Sequence, residues 1–286
     1  NFRHPAVVKI ALLMLPGIAG VAIYQINVVV TRLLASFLPE GSVSYLYYGQ
    51  RLFEFPQGIF IVSLAQAILP ALSRQASLGD MQGVKESLRY AISLILIVIL
   101  PAVVGLVLCA VPVYNVFFMK VAFYLHAVQQ TALALSAFAP GLLFVGISRV
   151  VVPAFYAMQD TRTPVWISLW TFVVNALLGL ILMQFMAHTG LALALTLASL
   201  FNAVLLLWAL RCKIGPLGLM PVLSTLLKLL IPALLMGLYV WSILSLNTWD
   251  DQGEGLQKGF ILLLSVLGGM TVYGVSCFMV KVPEIR

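Results

Sequence analysis

Charge is what this sequence has least of, and acidic charge least of all: nine Asp and Glu stand against sixteen Lys and Arg in 286 residues. Charged residues make up 9% of the chain and hydrophobic ones 62%, with a mean hydropathy of +1.08. A soluble domain is about 25% charged and about 45–50% apolar. The excess excludes a water-soluble fold and identifies a polytopic membrane protein. Cysteine and histidine are as sparse, three of each. Cys109, Cys212 and Cys277 lie far apart without a CxxC spacing, which argues against a disulfide framework or a thiolate metal site. His4, His126 and His188 have no ligand-type neighbour at i+3 or i+4, so no metal or other cofactor is expected. The net charge of +7 does not point to nucleic acid, because the basic residues are scattered singly. The chain also lacks an initiator Met and a signal peptide, as expected for part of a longer polypeptide.

What the sequence does have is long apolar runs. A helix needs about 20 residues to cross a hydrocarbon core of about 30 Å. The runs between polar punctuation predict an all-α bundle of eight transmembrane helices, at roughly 6–37, 43–74, 84–110, 123–158, 164–187, 190–211, 221–246 and 257–280. A short interfacial piece is expected over 111–122, and the span 123–158 is expected to bend at "APGLL" and at "VVPAF". Positive charge alternates by side. Arg3, Lys9, Arg74, Lys85, Arg89, Arg162, Arg211, Lys213, Lys228, Lys281 and Arg286 fall on one side, against Lys120 and Lys258 on the other. The positive-inside rule then puts both termini of the segment in the cytoplasm.

Two opposite charges interrupt the second run, in "YYGQRLFEFPQG". Arg51 lies about 16 Å along the helix from the "LPEGS" turn, counting about 1.5 Å per residue. At that depth a guanidinium must face protein or a watery cavity. Ser44, Tyr47, Tyr48, Arg51, Glu54 and Gly58 fall near one helical stripe. Two readings follow. Either Arg51 and Glu54 merely neutralise one another, or they mark an anion site, for which a bidentate guanidinium suits phosphate. The first span offers Tyr24, Gln25, Asn27, Thr31 and Arg32, with Gln25 and Arg32 two turns apart on one face. Arg32 is read as a candidate site residue or as snorkelling to headgroups. Arg149 faces inward or snorkels, with the alternatives left open. Asn175 and Asn202 are read as interhelical hydrogen-bonding residues, and Asp160 in "MQDTRTP" as a helix cap.

The stretches "ASFLPEGSVSYLYYGQRLFEFPQGIFIVSLAQAILPALSRQASLGD" and "PAFYAMQDTRTPV" resemble the second half of the lipid II flippases, the MurJ/MviN family of the multidrug/oligosaccharidyl-lipid/polysaccharide exporter superfamily. The resemblance implies a fourteen-helix transporter of which this chain supplies helices seven to fourteen. Residues 1–215 would be the second six-helix lobe, and 216–286 two appended helices forming a groove for a polyprenyl tail. It further implies a lipid-linked peptidoglycan precursor as substrate, flipped outward across the bacterial inner membrane by alternating access. The partners would be membrane lipids and an N-terminal six-helix lobe, with no nucleic acid. Arg51 and Glu54 match the family's cavity arginine and nearby acid, and Tyr47, Tyr48, Gln25 and Arg32 complete the candidate substrate-binding set. Some relatives hold sodium through carboxylates in the helices matching the first and fifth spans. Here those spans offer Gln25, Asn27, Thr31 and Asn175, with no acid, which argues against that coupling. The loop "FFMKVAF" also lacks the family's usual glycine.

Three other functions remain to weigh. A cation-coupled drug or polysaccharide-lipid exporter of the same superfamily would favour membrane carboxylates over an arginine-bearing pair. A polytopic glycosyl- or phosphotransferase needs acidic metal ligands on the cytoplasmic side, where Asp80, Glu86, Asp160 and Glu284 are widely separated, so no enzyme is expected. A non-transporting scaffold is opposed by Arg51 and its polar stripe alone.

Overall fold

The computed structural model describes residues 20, 22–23, 25–118, 124–249 and 255–280. The beginning of the first expected span, Tyr24, residues 119–123 of the "FFMKVAF" loop, residues 250–254 and both ends lie outside the described residues.

Among the described residues every regular element is a helix. Residues 25–36 form the described part of α1. A long unit follows, made of α2 (Ser42–Pro56), a π-helical segment (Gln57–Val62) and α3 (Ser63–Ser77). Then come α4 (Met81–Leu108), the short α5 (Ala110–Phe117), α6 (Leu125–Phe138), α7 (Gly141–Ala157), the 53-residue α8 (Arg162–Ile214), α9 (Met220–Leu244) and α10 (Gly255–Met279). Among the described residues five helical units are long and apolar enough to cross a membrane, or six if α6 and α7, bent by 41°, count as one. The outer surface agrees with that environment: Trp166, Trp170, Phe185, Trp208, Leu234 and Trp241 are all exposed, as lipid-facing side chains are.

The breaks have local causes. Pro140 has no N–H to donate between α6 and α7, and the Thr196 hydroxyl donates to the Ala137 carbonyl at 2.7 Å beside the bend. Pro153, by contrast, sits inside a continuous α7, so "VVPAF" does not break the helix. The α8 helix is interrupted at Ala187, whose φ of 49° and ψ of −132° are not helical. That is the expected "AHTG" boundary. Gly190 follows because a Cβ there would run into the Leu182 carbonyl.

Packing positions the site. The buried face of α2 carries Leu46, Gly49, Phe53 and Pro56. Gly49 lets α2 approach α6 closely, since a Cβ would stand 3.3 Å from the Leu135 backbone nitrogen. Helix α3 packs on α4 and α7, and α9 packs along α4 with α10 against α9. Tyr273 of α10 donates to the Ile97 carbonyl of α4 at 2.8 Å. The connector into α9 turns through Gly215 and Gly218, both at positive φ, and Arg89 of α4 donates to the Gly218 carbonyl at 3.5 Å.

Candidate functional site

Tyr47, Gln50, Arg51 and Glu54 occupy one side of α2, opposite its buried face, because a 3.6-residue period brings i, i+3, i+4 and i+7 together. Arg51 Nη1 donates to Glu54 Oε2 at 3.1 Å, and Nη2 donates to the Tyr47 hydroxyl at 3.2 Å. Gln50 Nε2 donates to the other carboxylate oxygen at 2.9 Å. A guanidinium has five N–H donors. Two are engaged here, so three remain for a ligand. The Arg51 side chain is 59% exposed and that of Glu54 33%.

Arg32 of α1 joins this group from across the seam. Its guanidinium carbon is 5.8 Å from the centre of the Tyr47 ring, and that of Arg51 is 4.9 Å from the same centre. Two cations therefore share one aromatic ring, and among the described residues Arg32 has no carboxylate within 4.0 Å. Counting Arg32, Arg51 and Glu54 gives +1 + 1 − 1, a formal excess of one positive charge.

The group faces two adjoining cavities. The smaller, about 240 Å³, is lined by Gln25, Val28, Arg32, Tyr47, Gln50, Arg51 and Glu54. The larger, about 710 Å³, shares Val28, Arg32, Tyr47, Gln50 and Glu54 with it. It continues past Gln57 and Gln66 to Arg149 and Tyr156 on α7 and Thr171 and Asn202 on α8. The sequence-expected set thus comes together with one exception. Tyr48 lines neither cavity. It is adjacent to Tyr47 and so about 100° around the helix, where its ring meets Phe118 at 5.5 Å and its carbonyl accepts from Tyr114 at 2.9 Å. Gln50 was missed by sequence reasoning, though its place four residues before Glu54 on the same stripe was a legible signal.

The supporting polar contacts tie helices together. Asn175 donates to Asn27 at 2.7 Å, joining α8 to α1, and Asn202 donates to Thr171 at 2.8 Å across the two halves of α8. Asp160 caps the start of α8, accepting from the Thr163 backbone at 3.1 Å and its hydroxyl at 2.7 Å. It also accepts from Lys213 at 2.6 Å, a pairing across 53 residues that sequence spacing did not signal. Partial burial alone would raise the Asp160 carboxyl. Donation from Lys213 and Thr163 outweighs it and holds the group down at about 2.

The described helices thus form a membrane helix bundle that turns a net-positive cluster toward two adjoining cavities. Comparison with known proteins narrows this description. The family model described as "Lipid II flippase MurJ" matches residues 1–253. A probable lipid II flippase MurJ of Vibrio cholerae is 38% identical over 206 residues, covering 72% of this chain and 39% of the relative. The solved structure of lipid II flippase MurJ in an inward closed conformation superposes with a TM-score of 0.78 at 25% identity, covering 99% of this chain and 57% of that one. An outward-facing multidrug MATE transporter shares the fold, with a TM-score of 0.56 at 14% identity over 93% of this chain and 63% of that one. The chain belongs to the lipid II flippase MurJ family. It spans about half the length of the curated relatives it matches.

Proposed function

We propose that this chain forms the second lobe of a flippase that moves an undecaprenyl-pyrophosphate-linked peptidoglycan precursor from the inner to the outer leaflet of the bacterial inner membrane by alternating access. The observation that carries this reading is the excess positive charge at Arg32, Arg51 and Glu54 on the cavity wall. It suits a pyrophosphate and not the cation of a cation-coupled exporter. Family membership supports the substrate class. Residues 1–215 make the six-helix lobe and 216–286 the two appended helices, which guide the polyprenyl tail. An N-terminal six-helix lobe closes the cavity from the other side. An eight-span count is supported by summing α1, the α2–α3 unit, α4, the α6–α7 pair, the two halves of α8, α9 and α10. The charge alternation supports a cytoplasmic placement for both ends of the segment.

The test is leaflet translocation of a dye-labelled lipid-linked precursor by the complete transporter in proteoliposomes, read by quenching of outer-leaflet dye. Arg51→Ala lowers the initial rate at least about tenfold, the loss of one charge-assisted contact, at an unchanged membrane level. Arg51→Lys restores only part of it, since an ammonium lacks the bidentate fork. Full transport by Arg51→Ala at normal abundance overturns the assignment.

A further inference from the structure

Arg149 is the charged residue of the large cavity that the site above does not use. It lies on α7, eight residues before that helix ends at Ala157, so roughly 12 Å along the axis from the α7–α8 turn. The chain path puts that turn at the opposite end of the bundle from the α1–α2 turn, near which Arg32 and Arg51 lie. The α2–α3 unit crosses once, α4 returns, and the α6–α7 pair crosses again, with α2 packed on α6 and α3 on α7. Arg149, on the larger cavity, and Arg51, on the smaller one that adjoins it through Arg32, Tyr47, Gln50 and Glu54, therefore stand toward opposite ends of the bundle. Arg149 is exposed, and among the described residues it forms no ion pair and no hydrogen bond. An unpaired guanidinium at this depth is stable only where water or an anion reaches it. Its surroundings are those of a ligand wall, with Tyr156, Ser199 and Asn202 lining the same space and, among the described residues, no carboxylate within 4.0 Å of it.

We infer that Arg149 is a second anion-holding station, separate from Arg51, which takes the phosphate-class group of the transported lipid in the half of the cavity nearer the α7–α8 turn. The inference rests on the flippase reading and extends it. One arginine at one depth leaves a highly charged headgroup without a partner for much of its path, whereas two stations divide the passage into shorter transfers between charge-assisted hydrogen bonds. The Glu54 carboxylate, beside Arg51 only, makes the two stations unequal.

The experiment is ligand protection of introduced thiols in the complete transporter, with Cys109, Cys212 and Cys277 replaced and nanodiscs of neutral phosphatidylcholine. Val152→Cys reports on the Arg149 station, being three residues on and lining the large cavity. Val28→Cys, which lines both cavities, reports on the Arg32–Arg51 group. Undecaprenyl pyrophosphate is expected to slow alkylation at both positions, and inorganic pyrophosphate to do so at higher concentration. Adding Arg149→Ala raises the concentration for half-protection of Val152→Cys about tenfold or more, while Val28→Cys stays within about twofold. Adding Arg51→Ala gives the converse. Protection of Val152→Cys that ignores Arg149→Ala while Val28→Cys behaves as expected overturns the second station and leaves the flippase reading standing. Absence of protection at both positions overturns both. Protection of Val152→Cys by phosphatidylglycerol discs without added ligand, equal to that by the pyrophosphates, makes Arg149 a bilayer anchor and overturns the inference too.

Discussion

Replacing Glu54 by Gln isolates what the acid does beside two arginines. The substitution keeps the shape and the contact with Gln50, but it changes the formal charge of Arg32, Arg51 and residue 54 from +1 to +2. In the empty site Glu54 Oε2 occupies Arg51 Nη1 at 3.1 Å, so an arriving phosphate has to displace it. The magnitude follows from exposure. With the two side chains 59% and 33% exposed, the pair is screened, and exposed pairs of this kind shift an equilibrium by no more than about fivefold. Glu54→Gln is therefore expected to tighten undecaprenyl pyrophosphate binding about two- to fivefold and to slow its release by a similar factor. Transport then falls although affinity rises. Equilibrium binding in neutral nanodiscs at low and high salt reads the first effect, with the gain shrinking as salt rises. Leaflet translocation reads the second. Binding that is unchanged or weaker in Glu54→Gln refutes the reasoning, because it makes the carboxylate a direct substrate contact or a purely structural partner.

Two further outcomes follow from the frame around the site. Asp160 is held at about 2, below its ordinary 3.8. Its stabilising contribution is therefore complete above about pH 4 and lost as pH falls from there toward 2; Lys213→Gln should flatten that acid limb of the thermal-melting profile by about 1–3 °C, since Lys213 is 40% exposed and screened. An equally steep limb in Lys213→Gln would show the pairing to be energetically idle. Gly190→Ala places a methyl group against the Leu182 carbonyl at the α8 break, so it should lower the melting temperature by several degrees, about what overpacking causes, whereas Thr189→Ala should not; equal melting of the two variants would show that the break relaxes freely.

Local periodicity made most of the site legible. Tyr47, Arg51 and Glu54 are bound to share a face by helical geometry alone, and Asp160 is bound to cap by its place before Thr163. The same geometry explains where the stripe was drawn too wide. Tyr48 is polar and adjacent to Tyr47, yet an adjacent residue points about 100° away, and its ring goes to Phe118. Arg32 and Arg149 were ambiguous for a different reason. Whether an arginine on a membrane helix meets headgroups or a cavity depends on the rotation of that helix against its neighbours, and nothing within one helix encodes that rotation. The π-helical segment at Gln57–Val62 was equally hidden. Pro56 signals a missing donor, but a kink and a π-bulge both answer that signal.

The two arginines at Tyr47 belong to different helices, and this has a consequence for how the site works. Arg51 and Tyr47 move with α2, which Gly49 seats against α6. Arg32 moves with α1, which the Asn27–Asn175 bond ties to α8. The candidate anion site is thus assembled across two pairs of helices: one aromatic ring lies between its two arginines, while α6 and α8 are joined away from it by the Thr196–Ala137 bond. Cations against an aromatic face make a weak, weakly directional contact, unlike the close core packing of Leu46 and Phe53. A small displacement at this contact would change the separation of the two positive charges while leaving the buried contacts of each pair intact. An anion held by both arginines favours the arrangement in which they converge, by as much as its affinity differs between the two arrangements. In the proposed carrier a weak contact at this point would serve transport: a rigid ion-pair network would hold one geometry whether loaded or empty, and a carrier has to distinguish the two.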